Sequence, residues 1–415
     1  MALTDSPSLT EAKARLRAEV DRRAATLVEA SHDIWEHPEL NFEEHHAHDL
    51  LTSVLEAEGL DVERGAFGVD TAFAARAGTE GPTVAVLCEY DALPEIGHAC
   101  GHNVIAAAGL GAGLAAAALA DDLGGRVVIL GTPAEEGGGG KVLLAEQGAL
   151  DGVDAAMMVH PAGLDLLSMD VIAIHQLHAD YEGVAAHAAA FPHKGRNALD
   201  AAVLGYNAVA ALRQHIAADE RIHGVFTHGG DKPNIVPKYA QAHWFVRSAT
   251  LRTLEALKPR VVACLEAGAV AAGCTCTIRW DDPAYSDMLD NAPMVEAYAA
   301  NAAALTGRRL AAPSVAEFPV MGSTDMGNVS YLVPSIHPMV AVAPPPVSIH
   351  TPEFASYARG PEGDRAVVDG AVALVATVAD LWLSPGLLDA ARASHDADVL
   401  RAGGIDGVPG APRAG

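Results

Sequence analysis

From Leu9 to Trp35, apolar residues recur at helical spacing among arginines and glutamates, and Ser8 or Thr10 can cap the start. A turn at His37–Glu44 leads to a second helical pattern that continues to Glu58. The pattern then changes. Val69–Ala77 predicts a strand, and Thr83–Cys88, Gly125–Leu130 and Asp154–Val159 are short apolar runs of the fully buried kind. An alanine-rich helix, Val104–Ala120, separates the first two of these runs. Past Ser168 the chain turns to alternating strands over Asp170–Asp282. These lie near Gly224–Thr227, Tyr239–Ala249 and Cys274–Trp280, with one helix over Asn197–Ile216. Helix returns at Ala292–Leu305, strands are predicted at Val315–Pro319 and Ile336–Val342, and the last helix spans Asp364–Leu383. The order predicts an α/β domain interrupted by an α+β insertion. Residues 1–171 and 289–402 would form the first domain and 172–288 the insertion. The Gly/Pro/Ala-rich segment 403–415 reads as a disordered tail.

Composition narrows the classes. A net charge of −26 over 415 residues excludes general electrostatic binding of nucleic acid. No uncharged apolar run reaches the length of a membrane span, and Met1–Thr10 lacks a signal core, so a soluble cytoplasmic protein is expected. Five cysteines at scattered spacing do not form a disulfide framework and fit a reducing compartment. Cys274 and Cys276 sit in an alternating run and read as strand packing. Two glycine-rich stretches fail as nucleotide motifs. Gly109–Gly113 lies inside a helix, and Gly137–Lys141 is followed by Val142 where a phosphate loop needs Ser or Thr.

The chemistry gathers where apolar runs end. Thr83–Cys88 runs into Glu89-Tyr90-Asp91, Gly125–Leu130 into Glu135-Glu136, and Asp154–Val159 into His160. Open α/β sheets place their sites at such C-terminal strand ends. Gly97-His98-Ala99-Cys100-Gly101-His102-Asn103 adds a thiol and an imidazole two residues apart, both acceptable to zinc. Cys100, His102, one of Glu135/Glu136, His160 and His350 make five candidate ligands, enough for two metals rather than one. The glutamate left over can serve as proton acceptor. Cys100 as a nucleophile is the competing reading, disfavoured because a metal-bound thiolate is tied up.

The order His98-Ala99-Cys100-Gly101-His102, Pro133-Ala134-Glu135-Glu136, His160 and His350-Thr351-Pro352 resembles the aminoacylase/glutamate-carboxypeptidase family of dimetal peptidases. Similarity also covers His37-Pro38-Glu39-Leu40 and the segment around His187 and Gly195-Arg196-Asn197, and it runs from about residue 30 to 380. Asn103 and the glycine run are more like the p-aminobenzoyl-glutamate hydrolase and β-alanyl-dipeptide (Xaa-Arg dipeptidase-like) branch than the auxin-conjugate and hippurate hydrolases. The resemblance implies a mixed-sheet dimetal-exopeptidase domain with an inserted lid and dimerisation domain. It implies Glu135 as general base and acid, and Cys100, His102, Glu136, His160 and His350 as ligands of two divalent ions. The thiol favours zinc among these, and manganese or cobalt are compatible. Asp91 would orient its neighbours, His187 would stabilise an oxyanion from across a homodimer, and Asn234 would contact substrate. Glu89 stands where relatives carry a histidine ligand and is not assigned. The expected activity is hydrolysis of a small amide next to a free carboxylate, in N-acyl or aminoacyl amino acids, dipeptides or p-aminobenzoyl-glutamate-like compounds. The alternatives are one member of a heteromeric hydrolase and an aminoacylase of the auxin-conjugate or hippurate type. A zinc deaminase is disfavoured because the chain has no Cys-x-x-Cys.

Overall fold

The computed structural model describes residues 8–315 and 321–411. Two compact units emerge, one built from the chain up to Asp170 and from Met288 onward, the other from Val171–Asp287. The first begins with α1 (Leu9–Glu36), α2 (His45–Ala57), β1 (Val62–Arg64), β2 (Phe73–Ala77), β3 (Thr83–Cys88) and α3 (His102–Leu123). It continues with β4 (Arg126–Gly131), α4 (Gly140–Glu146), β5 (Ala155–Met157), β6 (His160–Ala162) and the short β7 (Asp170–Val171). The second unit holds β8 (Ala173–Glu182), α5 (Ala198–Leu212), β9 (Arg221–His228), β10 (Tyr239–Ser248), α6 (Leu251–Ala272) and β11 (Thr275–Tyr285). The chain closes with α7 (Ala292–Asn301), β12 (Met321–Gly322), α8 (Met326–Leu332), β13 (Ser335–Ile336), β14 (Met339–Ala341), α9 (Pro352–Ala358), α10 (Pro361–Leu383) and α11 (Leu387–Ala402).

The first unit is organised on a six-stranded mixed sheet in the order β1-β2-β4-β3-β5-β13. β4, β3, β5 and β13 run parallel, and β1 and β2 join antiparallel at one edge. In the parallel core Cys88 lies beside Gly131, so β3 and β4 end level, and β5 ends beside Val86, two residues short of them. Their continuous apolar runs reflect burial on both faces. Helix α3 is buried along nearly all its length and packs between the sheet, α1 and α10. Both α3 and α10 are long and apolar enough to cross a membrane by composition, yet 89% and 83% of those stretches are buried within the fold. Core packing accounts for that composition.

The second unit is a four-stranded antiparallel sheet, β11-β8-β10-β9, backed by α5 and α6. Helix α6 is not anticipated by the sequence pattern. Pro259 interrupts its apolar period, while Thr250 and Thr253 form a reciprocal cap at its start. Helix α11 is likewise unanticipated, and residues 403–411 differ from the expected disordered tail. Val408 is buried, and the Pro409 carbonyl accepts a hydrogen bond from Asn328 Nδ2 at 3.1 Å. The strand expected over Val315–Pro319 falls largely outside the described residues, Pro313–Val315 being a single 3-10 turn.

Candidate dinuclear metal centre

The parallel strands deliver their polar groups to one place. β3 is followed by Glu89 and Asp91, β4 by Glu135 and Glu136, β5 by His160, and β13 by His337. Between β3 and α3 the chain doubles back through Cys100 and His102. Gly101 sits there at φ 82°, and a Cβ on it would lie 2.8 Å from Pro161. Two residues without glycine's freedom also adopt positive φ, Ala134 at 61° directly before the glutamate pair and His350 at 62°. Left-handed backbone at such residues is strained and clusters at functional sites.

Three overlapping groups of potential ligand atoms lie within 4.8 Å of one another: Cys100/His102/His160, Cys100/Glu136/His350 and Glu89/His102/Glu135. Cys100 Sγ is 3.4 Å from His160 Nε2, and His350 Nε2 is 3.4 Å from Glu136 Oε1. His102 Nε2 is 3.1 Å from Glu89 Oε1 and 3.8 Å from Glu136 Oε1. The far side of each buried imidazole is held: His102 Nδ1 by Asp91 Oδ1 at 3.0 Å, His160 Nδ1 by the Pro161 carbonyl at 2.8 Å. This fixes Nε2 of both rings toward the shared space, as metal-binding histidines require. The other Asp91 oxygen accepts from the Glu136 backbone N–H at 2.9 Å. The His350 N–H donates to the Ala99 carbonyl at 2.8 Å, tying its loop to the cysteine segment.

The donor set fits a cation. His102 Nε2, Glu89 Oε1 and Glu136 Oε1 are buried and converge, facing one another and His350 without a well-formed hydrogen bond to any other group among the described residues. Buried polar atoms left this way are expensive unless something binds them. Charge tells the same story. The buried carboxylates Glu89 and Asp325 bond the buried ammonium of Lys141, and Glu135 and Asp91 also feel its charge. Burial pushes the Glu135 carboxyl well above the usual range, and the charges of Glu89 and Glu136 push it further. Burial would raise Glu136 too, but its bond to His350 and the charge of His102 hold it low. Burial would likewise lower His102, but Glu89 and Asp91 outweigh it and raise the imidazole well up. His160 is brought down to about 4, by burial and then by His102. Burial raises the Cys100 thiol, and a coordinating metal would deprotonate it outright.

Cys100, His102, Glu135, Glu136, His160, Asp91 and His350 are thus gathered, all buried or nearly so except His350, which is half exposed. His187 and Asn234 belong to the second unit, on exposed neighbouring loops. There the Asn234 carbonyl accepts from Ala188 N at 3.0 Å, and His187 Nδ1 accepts from the N–H groups of Ala189 and Ala190. Sequence reasoning leaves Lys141 and His337 without a role, whereas Asp325 lies in the Gly-flanked Ser323-Thr324-Asp325 loop that the sequence marks as a candidate pocket lining. Lys141 stands out in the sequence only as the end of a failed phosphate motif. In the fold it bonds Glu89 Oε2, and its ammonium lies 2.6 Å from Asp325 Oδ1, while its N–H donates to Asp325 Oδ2 at 2.9 Å. Nothing in the sequence marks a pairing across 184 residues. His337 is hidden inside an apolar run. Its ring centroid lies 5.3 Å from that of His160.

Comparison with known proteins agrees with this geometry. The profile described as peptidase family M20/M25/M40 matches residues 85–380. The chain is 38% identical to the Xaa-Arg dipeptidase of Mus musculus over 92% of its own length and 91% of the relative's. It is 30% identical to one of the subunits of the p-aminobenzoyl-glutamate hydrolase of Escherichia coli, covering 91% and 93%. Among solved structures, the aminobenzoyl-glutamate utilization protein of Klebsiella pneumoniae superposes with a TM-score of 0.72 at 21% identity, covering 89% of this chain and 99% of that one. The Bacillus subtilis YXEP protein, described as a dinuclear metal binding peptidase, superposes at 0.64 with 20% identity, covering 86% and 98%.

Proposed function

The chain belongs to peptidase family M20/M25/M40 and is a metallopeptidase-type amidohydrolase of that family, and from that premise we propose that it hydrolyses dipeptides, or close amide analogues, beside a free carboxylate. A basic C-terminal residue is the first substrate class to try, because the 38% identical relative is named for Xaa-Arg dipeptides. The observation that carries the reading is Cys100's membership of two donor groups, one with His102 and His160 and one with Glu136 and His350, beside a buried Glu135. Those five residues would hold two divalent ions, zinc by the thiol's preference, with manganese or cobalt open. Bound there, such ions supply Lewis acidity that activates a water and polarises an amide carbonyl.

The protein's own groups do the rest. Asp91 holds both the His102 ring and the Glu136 backbone in place. Asp325 holds Lys141, which in turn fixes Glu89 and keeps one positive charge among the carboxylates. Glu135 accepts a proton from the attacking water and returns it to the departing nitrogen. On the same reading the chain works as a homodimer through residues 172–288, His187 steadies the oxyanion and Asn234 contacts the substrate. Five unpaired thiols support a reducing, cytoplasmic place of action. The resemblance to a protein named as a subunit motivates a second reading, in which the chain acts only with a related partner. Glu135→Gln tests the mechanism. The variant should keep its metal content and lose at least about a hundredfold in kcat on Xaa-Arg dipeptides. Wild-type turnover in that variant sinks the role of Glu135. An inactive but metal-loaded wild-type chain favours the two-chain reading.

A further inference from the structure

The antiparallel sheet of the second unit has two unlike faces. Leu177, Ala179, Ala242, Trp244 and Val246 are buried on the side covered by α5 and α6. On the opposite side a row of histidines crosses the strands. His178 on β8 stands directly opposite His243 on β10 and Arg279 on β11, and Asp281 stands opposite Gln176 one step along. Residues two apart on a strand share a face, and opposite pairs are close neighbours, so this register puts two imidazoles, a carboxylate and an amide together.

The side chains use that placement. The His178 and His243 rings stack with centroids 4.2 Å apart and planes 4° from parallel. Both Nε2 atoms point at one oxygen, Asp281 Oδ2, at 3.0 Å from His178 and 3.9 Å from His243. Gln176 Oε1 is 3.2 Å from His243 Nε2. Arg279 holds the other carboxylate oxygen, Asp281 Oδ1, at 3.2 Å, which fixes the carboxylate with Oδ2 toward the rings. We propose that His178, His243 and Asp281 form a binding site for a first-row transition-metal dication, with Gln176 Oε1 as a fourth donor. Two imidazole nitrogens and a carboxylate oxygen on one side of an ion suit zinc, nickel, cobalt or copper rather than magnesium or calcium.

A similar trio, Asp33, His37 and His46, lies at the end of α1, just beyond it and at the start of α2, and the contrast explains the choice. Those side chains are 40%, 52% and 40% exposed, against 20%, 26% and 37% for His178, His243 and Asp281. The sheet donors also sit on three hydrogen-bonded strands instead of two helix ends. An ion there would clamp β8, β10 and β11 together.

Zinc stoichiometry tests the site. The protein as purified is supplemented with Zn2+, freed of loosely held ion by gel filtration, and its zinc counted per chain. The same is done for His178→Gln, His243→Gln and the near-isosteric Asp281→Asn. Wild type should retain one zinc more per chain than each variant, and added Zn2+ should raise its melting temperature more than theirs. Equal zinc content in wild type and the folded variants overturns the site, as does retention only at millimolar zinc. Should a glutamine variant fail to fold, the Asp281→Asn comparison decides alone.

Discussion

Asp91 is fully buried, and each of its oxygens does a separate job, one on the His102 ring and one on the Glu136 backbone. A single side chain therefore orients two candidate ligands. Its position shortly after β3 is legible in the sequence, but its dual grip is not. Asn103 shows the reverse. It marks a branch of the family in the sequence, yet its amide nitrogen bonds Ser31 Oγ and the Ala358 carbonyl, neither of them a candidate ligand. Asp290 carries a prediction of its own. Burial raises its pKa to about 7, with a hydroxyl bond from Ser168 opposing and Asp170 adding. A carboxyl whose folded pKa lies above its unfolded value favours the fold when protonated. The contribution of Asp290 to stability should therefore fall as pH rises from about 4 to about 7, by a few kcal/mol at most, and then level off. Asp290→Asn removes the ionisation. Urea unfolding should find the variant the more stable protein at pH 8, with the gap closing toward pH 4. A gap of the same size at both pH values would refute the assignment.

At the scale of elements, α3 makes the site possible by lying very close to the sheet. Its first residue, His102, enters the donor cluster, and its glycines allow the approach. A Cβ on Gly109 would lie 2.5 Å from the Leu87 carbonyl oxygen and 2.9 Å from Cys88 Sγ, both in β3. Gly109→Ala gains about 1 kcal/mol of helix propensity. A strand carbonyl cannot move aside, so the overpacking should outweigh this and leave a net loss on the order of 1–2 kcal/mol. Urea denaturation should show a lower midpoint with an unchanged slope. Because β3 leads into Glu89 and Asp91, the variant should also lose part of its metal affinity.

On the scale of the whole molecule, the centre draws on segments distant in sequence, from Glu89 to His350 within one unit. Two ions held by the five proposed ligands, Cys100, His102, Glu136, His160 and His350, would stabilise the folded chain alone. Removing metal with a chelator should lower the melting temperature, and restoring it should reverse the change. The stabilisation amounts to about 4 kcal/mol per ion when free metal exceeds its dissociation constant a thousandfold. A melting temperature indifferent to the chelator, with metal loss confirmed by elemental analysis, would contradict the assigned ligand set.

By itself the sequence determined the α/β architecture with its inserted antiparallel unit, and the strand ends at which the chemistry lies. Period-2 and unbroken apolar runs report burial locally, and the histidine, cysteine and glutamate motifs sit directly beside those runs. Helices α6 and α11 escape this reading, because a proline and a charged, weakly patterned surface hide their period. Only the tertiary structure decided which donors share a space. The link of Lys141 to Glu89 and Asp325, the edge-on packing of the His337 and His160 rings, and the meeting of His178, His243 and Asp281 depend on strand order and register. Those are set by long-range packing, and residues far apart in the chain carry no local mark of the neighbours they will have.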